Sequence, residues 1–323
     1  MKIAAFRSSC AVLATLTFAV VVALGQAPAG QGGAPAPGGL PPTDYAHMTI
    51  KVDKLADNFY TLTGVNGAGR TGGEIGVLTG PDGNFMVDAT FAPLSDKVMA
   101  AIKTFSDAPV RFIVNTHVHP DHVGGDAYFA KLGATILARP ELRAALVAQK
   151  NYDAAGLPMV TYTAPVTFHM NGDEIVLIPV PPAHTDGDTM IYFRRADVLM
   201  IGDFFRAGYP NIGGTANGMI EALGMAAAIC GPNTKVVPGH GPVSTRADVI
   251  AHKDMLVAVR DRVAELVKQG KSEDEVLAAH PTADYDATVL KDIALYYDNG
   301  TVLRYKNSDM FIKQLYAQMK PKT

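Results

Sequence analysis

The sequence predicts an α+β chain folded as an αββα sandwich: two mixed β-sheets packed together, with helices on the outer faces. Two observations carry this expectation. Runs of short β-branched stretches followed by helical stretches occur once in each half of the chain, which gives two sheets rather than one. The long helical stretch 245–269 carries an apolar stripe at Val249, Met255, Leu256, Val259, Val263 and Leu266, so it can cover a sheet on one side and meet water on the other. One layered domain spanning residues 47–323 is expected.

In the first half, Thr49–Val52 and Phe59–Leu62 read as strands. Glu74–Thr79 and Asn84–Val87 flank Gly80-Pro81-Asp82-Gly83, a hairpin turn. Leu94–Phe105 has helical spacing at Val98, Ile102 and Phe105, and Val110–Asn115 is a β-branched strand. Asp126–Leu132 and Glu141–Lys150 are helical, with strand Thr135–Leu137 between them. In the second half, Thr167–Met170, Glu174–Pro179, Met190–Phe193, Val198–Ile201 and Lys235–Val237 read as strands. Thr215–Cys230 is a helix before the last of these. Thr245–Gln269 follows as a long helix, opened by Thr245-Arg-Ala-Asp248 and stopped at Gly270, and Ser272-Glu-Asp-Glu275 opens another.

Residues 1–25 read as an export signal. Lys2 and Arg7 precede the apolar run Ala11–Leu24, shorter than the roughly 20 residues a spanning helix needs, with an uncleaved anchor as the alternative. Residues 26–46, rich in Pro, Gly and Ala, read as a flexible linker. A periplasmic or secreted protein is expected. Cleavage removes two cations and no acid, taking the charge from 28 − 31 = −3 to 26 − 31 = −5. A mildly acidic chain without basic runs argues against nucleic acid, or an anionic membrane after cleavage, and leaves a small-molecule substrate. Cys10 lies in the export segment, so Cys230 has no disulfide partner in the mature chain and reads as a core residue. No residue pattern specifies the oligomeric state.

The densest chemistry is His117-Val118-His119-Pro120-Asp121-His122, directly after the strand at Val110–Asn115. On extended chain His117 and His119 point to one side, and Pro120 re-aims Asp121 and His122 toward a second point. This spacing predicts two metal ions. Three more candidate ligands stand where a strand gives way to a turn: His184, Asp203 and His240. Glycines beside these positions let the backbone bend and approach closely. Five imidazoles and two carboxylates without a thiolate suit two Zn²⁺, ahead of iron or manganese. His47, His169, His252 and His280 lack such company and read as surface or satisfied histidines; Tyr296, Tyr297 and Tyr305 read as core or interface.

His117-x-His119-x-Asp121-His122, followed in order by His184, Asp203 and His240, resembles the metallo-β-lactamase superfamily over roughly residues 49–243. The resemblance implies a first ion on His117, His119 and His184 and a second on Asp121, His122 and His240. Asp203 would bridge the two, and hydroxide held between the ions would attack the substrate. Asp121 enters as the catalytic candidate as well as a ligand. In lactamases with a cysteine at the bridging position, a Lys follows three residues later and an Asn-Leu-Gly shortly after. Here Arg206 and Asn211-Ile212-Gly213 stand there, so Arg206 would hold a substrate carboxylate and Asn211 would polarise a carbonyl. His122, His184-Thr185-x-Gly187-x-Thr189 and Asp203 look more like glyoxalase-II and lactonase members. The glycine-rich Val65–Gly72 would be a flap over the substrate.

The expected activity is an exported zinc-dependent hydrolase of acyl C–N or C–O bonds, with a β-lactam amide as first candidate. The alternative is a lactonase, esterase or thioesterase. From another class, a non-catalytic periplasmic zinc-binding protein remains open.

Overall fold

The computed structural model describes residues 44–67, 69–291, 293–296 and 308–320. The expected export signal at 1–25, residues 26–43 of the expected linker, Tyr297 and Tyr305 lie outside the described residues. Regular structure is present before residue 47: Asp44 caps a 3-10 turn at Tyr45–His47. Lys97 Nζ holds this entry, donating to the carbonyls of Tyr45, Ala46 and Met48 at 2.9, 2.7 and 2.6 Å.

The first sheet runs in chain order: β1 (Thr49–Ala56), β2 (Phe59–Asn66), β3 (Gly69–Leu78), β4 (Asn84–Val87), β5 (Val110–Val114), β6 (Thr135–Ala138) and β7 (Val160–Thr161). Its first four strands form an antiparallel meander joined by tight turns, the β3–β4 turn being the one expected at 80–83. From β4 to β7 the pairing is parallel, which demands crossovers. Helices α1 (Ser95–Ile102), α2 (Pro120–Val123), α3 (Asp126–Lys131) and α4 (Pro140–Val147) lie in those connections.

The second sheet has the order β12-β11-β10-β9-β8. Its strands are β8 (Val166–Met170), β9 (Asp173–Pro179), β10 (Thr189–Phe193), β11 (Val198–Gly202) and β12 (Lys235–Pro238). Only β11 and β12 pair in parallel, through the crossover α5 (Ala216–Ile229).

The two-residue period of β11 shows why the layers form. Val198 and Met200 face the first sheet, packing with Phe59, Phe85 and Val114, while Leu199 and Ile201 face outward. The outward side is covered by α5 and by α6 (Arg246–Lys268), which bury Met219, Leu223, Val259 and Val263. On the other flank, Leu62, Val77 and Ile113 pack under Val98, Ile102 and Phe129. The helix starts match the sequence expectation: Thr245 with Asp248, and Ser272 with Glu275 at α7 (Glu273–Ala278), form reciprocal capping boxes.

Two further helices were not evident in the sequence: α8 (Ala283–Val289) and α9 (Asp309–Met319), the latter burying Phe311, Ile312 and Leu315. Neither start has a side-chain cap hydrogen bond, so the usual start signal is missing. Among the described residues no helix is long and apolar enough to cross a membrane.

Strand direction places the site. β4 and β5 run parallel, and β9, β11 and β12 share one direction in the second sheet. The carboxyl ends of these strands carry Asp88, His117, His184, Asp203 and His240 into connecting segments.

Candidate metal centre

The chain leaves β5 through Asn115 and Thr116 and delivers His117 buried and His119 half-buried. Pro120 occupies the first position of α2, where a missing N–H costs nothing and the fixed φ suits a helix. The backbone N–H groups of His122 and Val123 donate back to the His119 carbonyl at 2.9 and 3.1 Å. The re-aiming of Asp121 and His122 is thus one turn of helix.

All seven expected ligands converge. Donor atoms of His117, His119 and His184 lie within 4.8 Å of one another, as do those of Asp121, His122 and His240. A third group, His117, His122 and Asp203, joins the two. Asp203 sits centrally: Oδ1 is 3.3 Å from His122 Nε2, and Oδ2 is 3.6 Å from His184 Nε2 and 3.4 Å from His240 Nε2. Asp121 Oδ2 lies 3.1 Å from His240 Nε2.

The donor set fits a cation. His117 Nε2, His122 Nε2 and Asp203 Oδ1 are buried without a hydrogen-bond partner. Buried lone pairs facing one another are costly unless a positive charge lies among them. Burial holds His117, His119 and His184 below the ordinary imidazole range, His184 at about 4, which suits neutral ligands. Burial would also depress His122 and His240. The carboxylates around them prevail, Asp88 foremost at His122 and Asp203 at His240, and both imidazoles titrate above their ordinary value. For Asp121 and Asp203, burial alone would raise the carboxyl, but His122 and His240 outweigh it and hold both low.

Groups around the ligands fix their orientation. Asp88 Oδ2 accepts from His122 Nδ1 at 2.7 Å, and the same carboxylate accepts from Thr116 N and Thr116 Oγ1, both at 2.7 Å. This turns His122 Nε2 toward the centre. His184 Nδ1 donates to the Asn211 carbonyl at 2.7 Å. Asp188, buried and pushed up to about 7 by desolvation, accepts from His184 N at 2.6 Å and Thr185 N at 2.9 Å. Neither Asp88 nor Asp188 was singled out in the sequence. Asp88 stands directly after a strand, as Asp203 does, and that position was its available signal.

Two glycines are needed for close approach. A Cβ on Gly239 would collide with the Asp203 carboxylate, and one on Gly73 would overlap the His122 ring. Gly73→Ala is expected to displace His122, whose backbone is held by Ala89 N–H donating to its carbonyl at 2.7 Å. A misplacement of about 1 Å at a catalytic group can cost roughly a hundredfold in rate. Metal content and hydrolysis should fall together in this variant, and unchanged values would show that the ring tolerates the shift.

Other expectations need correction. Arg206 is buried, and its Nη1 donates to Asp203 Oδ2 at 3.3 Å, so it serves the central carboxylate rather than standing open for a substrate carboxylate. Asn211 accepts from His184 with its backbone carbonyl and from Gln314 Nε2 with its side-chain Oδ1 at 2.7 Å, and it lines the cavity beside His119 and His184, which keeps its expected place next to a substrate. His252 is neither a surface histidine nor a satisfied one. Its Nε2 is buried without a hydrogen-bond partner, its ring packs edge-on to Phe205 at 5.1 Å, and burial followed by Arg206 lowers it to about 4. The segment expected as a flap is, in keeping with that expectation, the tip of a paired hairpin, Val65 opposite Arg70 and Asn66 opposite Gly69. Arg70 Nη1 donates to the buried Glu74 at 2.8 Å, and Tyr296 lies under the Arg70 guanidinium.

Residues 68–213 match the family model described as the metallo-beta-lactamase superfamily. Among solved structures, the chain resembles a metallo-beta-lactamase from Pontibacter korlensis at TM-score 0.57 and 19% identity, covering 65% of this chain and 99% of that one. VMB-1 gives 0.55 and 20%, and the DIM-1 metallo-beta-lactamase 0.56 and 17%, each covering 65% of this chain and 97% of its own. At these identities the likeness is one of fold. A curated relative, 2,4-dinitroanisole O-demethylase subunit alpha from Nocardioides sp. (strain JS1661), is 32% identical over 129 residues. The match spans 39% of this chain and 39% of that relative's length.

Proposed function

We propose, from the premise that the chain belongs to the metallo-β-lactamase superfamily, that it is a dizinc hydrolase of acyl C–N or C–O bonds. The observation that supports this most is the set of orphaned donors, His117 Nε2, His122 Nε2 and Asp203 Oδ1, buried at the meeting point of two ligand trios.

Zinc bound there would polarise the acyl carbonyl and acidify water enough to supply hydroxide near neutral pH. The chain's own residues supply the rest. His117, His119 and His184 would hold one ion, and Asp121, His122 and His240 the other, with Asp203 facing both. Asp121, whose side chain is 21% exposed, is the carboxylate best placed to orient an attacking water. Asp88 and the Asn211 carbonyl keep two imidazoles aimed inward, which avoids reorganisation during the reaction.

A β-lactam amide is the first substrate to test, since two of the similar structures are named metallo-beta-lactamases. A second reading, a lactonase, esterase or thioesterase, is favoured by the engagement of Arg206 with Asp203, which removes the expected carboxylate anchor. The relative named as an O-demethylase also points toward C–O chemistry. Both readings include export, from the character of residues 1–25, and a small-molecule substrate.

The test assays a penicillin, a carbapenem, a lactone and an acyl-thioester on metal-quantified protein. Chelation should abolish turnover and zinc should restore it. A fully loaded protein inactive on every acyl substrate would support a metal-binding protein without turnover instead.

A further inference from the structure

A cavity of about 300 Å³ beside the first ligand trio is lined by His119 and His184 together with the apolar Leu142 and Ala145. Glu141 and Asp186 also line it, and among the described residues no Lys or Arg does. Glu141 is partly neutralised by Arg139 Nη2 at 3.1 Å. Asp186 is exposed and has no ion-pair partner among the described residues. His119 and His184 share a ligand trio with His117, whose Nε2 is orphaned, so the cavity adjoins a place built for a ligand.

The backbone that carries the charge is tied down. Asp186 lies at the tip of the loop 184–188, whose flanks are tied through the Asp188 carboxylate to His184 N and Thr185 N. Gly187 presses on the start of α4, where a Cβ would come within 2.9 Å of the Leu142 nitrogen. The backbone beneath the exposed Asp186 side chain is therefore held at the cavity.

We infer that this cavity receives the acyl group, and that Asp186 makes it select neutral or cationic acyl groups over those bearing a carboxylate. This rests on the acyl-hydrolase reading. A carboxylate lining a partly solvated cavity changes the binding of a unit charge within it by roughly five- to tenfold, and added salt weakens the effect. Esters, lactones and lactams with uncharged or amine-bearing acyl parts are the substrate class that follows.

The test compares native protein with Asp186→Asn, both zinc-loaded. Calorimetry measures the binding of three thiols of similar size: thiocholine, mercaptoethanol and 3-mercaptopropionate. In parallel, kcat/KM is measured for nitrophenyl esters with cationic, neutral and anionic acyl chains. The thiocholine-to-mercaptopropionate affinity ratio should fall at least about fivefold in Asp186→Asn, and the ester preference should narrow in step. A thiol ratio unchanged within twofold overturns the inference, as does an ester preference that Asp186→Asn leaves alone. If the thiol ratio shifts as stated but no ester, lactone or lactam is turned over, the charge-selective subsite stands and the acyl-hydrolase reading falls.

Discussion

Asp203→Ala should reduce hydrolysis at least about a thousandfold, at the upper end of what removing a preorganised electrostatic group costs. The reason is position: its two oxygens stand between imidazoles of both trios, at 3.3 to 3.6 Å from His122, His184 and His240. The substitution also strips the buried Arg206 of the Asp203 oxygen 3.3 Å away. Breaking a buried charge pair by removing one partner costs about 3–5 kcal/mol, so a lowered Tm should accompany the lost activity. Asp203→Cys is the informative companion. A thiolate is itself a good zinc ligand, so that variant should retain metal while its rate changes. Elemental analysis and melting curves on both variants check the assignment, and an alanine variant with full metal content and near-native rate would remove Asp203 from the centre.

Asp88→Ala should lower metal affinity by roughly ten- to a hundredfold although the side chain is not itself one of the expected ligands. Its carboxylate receives three donors, His122 Nδ1, Thr116 N and Thr116 Oγ1, each at 2.7 Å. Alanine leaves these buried donors without that acceptor, at about 1–3 kcal/mol for each one left unsatisfied. Asp88 also sits at φ 60, a left-handed conformation that aspartate tolerates better than alanine. Asp88→Asn keeps an acceptor and removes the charge, so it separates orientation from electrostatics. Zinc affinity by competitive chelation and unfolding midpoints are the measurements. An Asp88→Ala protein with native zinc affinity would show that His122 holds its aim without help.

Much of this molecule was legible before any coordinates, for identifiable reasons. The seven ligands stand beside strand ends or tight turns, where a rigid scaffold holds binding side chains in place. The strand runs were readable where a strand is buried on both faces, as in the apolar stretch Val198–Gly202, and in the β-branched residues of Val110–Val114. The paired capping boxes announced α6 and α7.

What was hidden depends on partners distant in sequence. Arg206 looked like a substrate anchor because its spacing from Asp203 was known and its burial was not. The backbone carbonyl of Asn211, which orients His184, has no side-chain signature in the sequence. His252 falls on α6, and only the packing of that helix beside Phe205 and Arg206 buries its Nε2. Helix α9 lacks a side-chain cap, and it gains its place by burying Phe311 and Leu315.

The origin of the ligands has a consequence for assembly. Four come from the segment after β5, in the first sheet, and three from turns of the second. Neither half of the chain owns a complete coordination sphere, so a cation held there rivets one sheet to the other. Occupancy of the centre then reports on whether the halves have docked, and a slip at their seam, far from any ligand, would be read out as released metal.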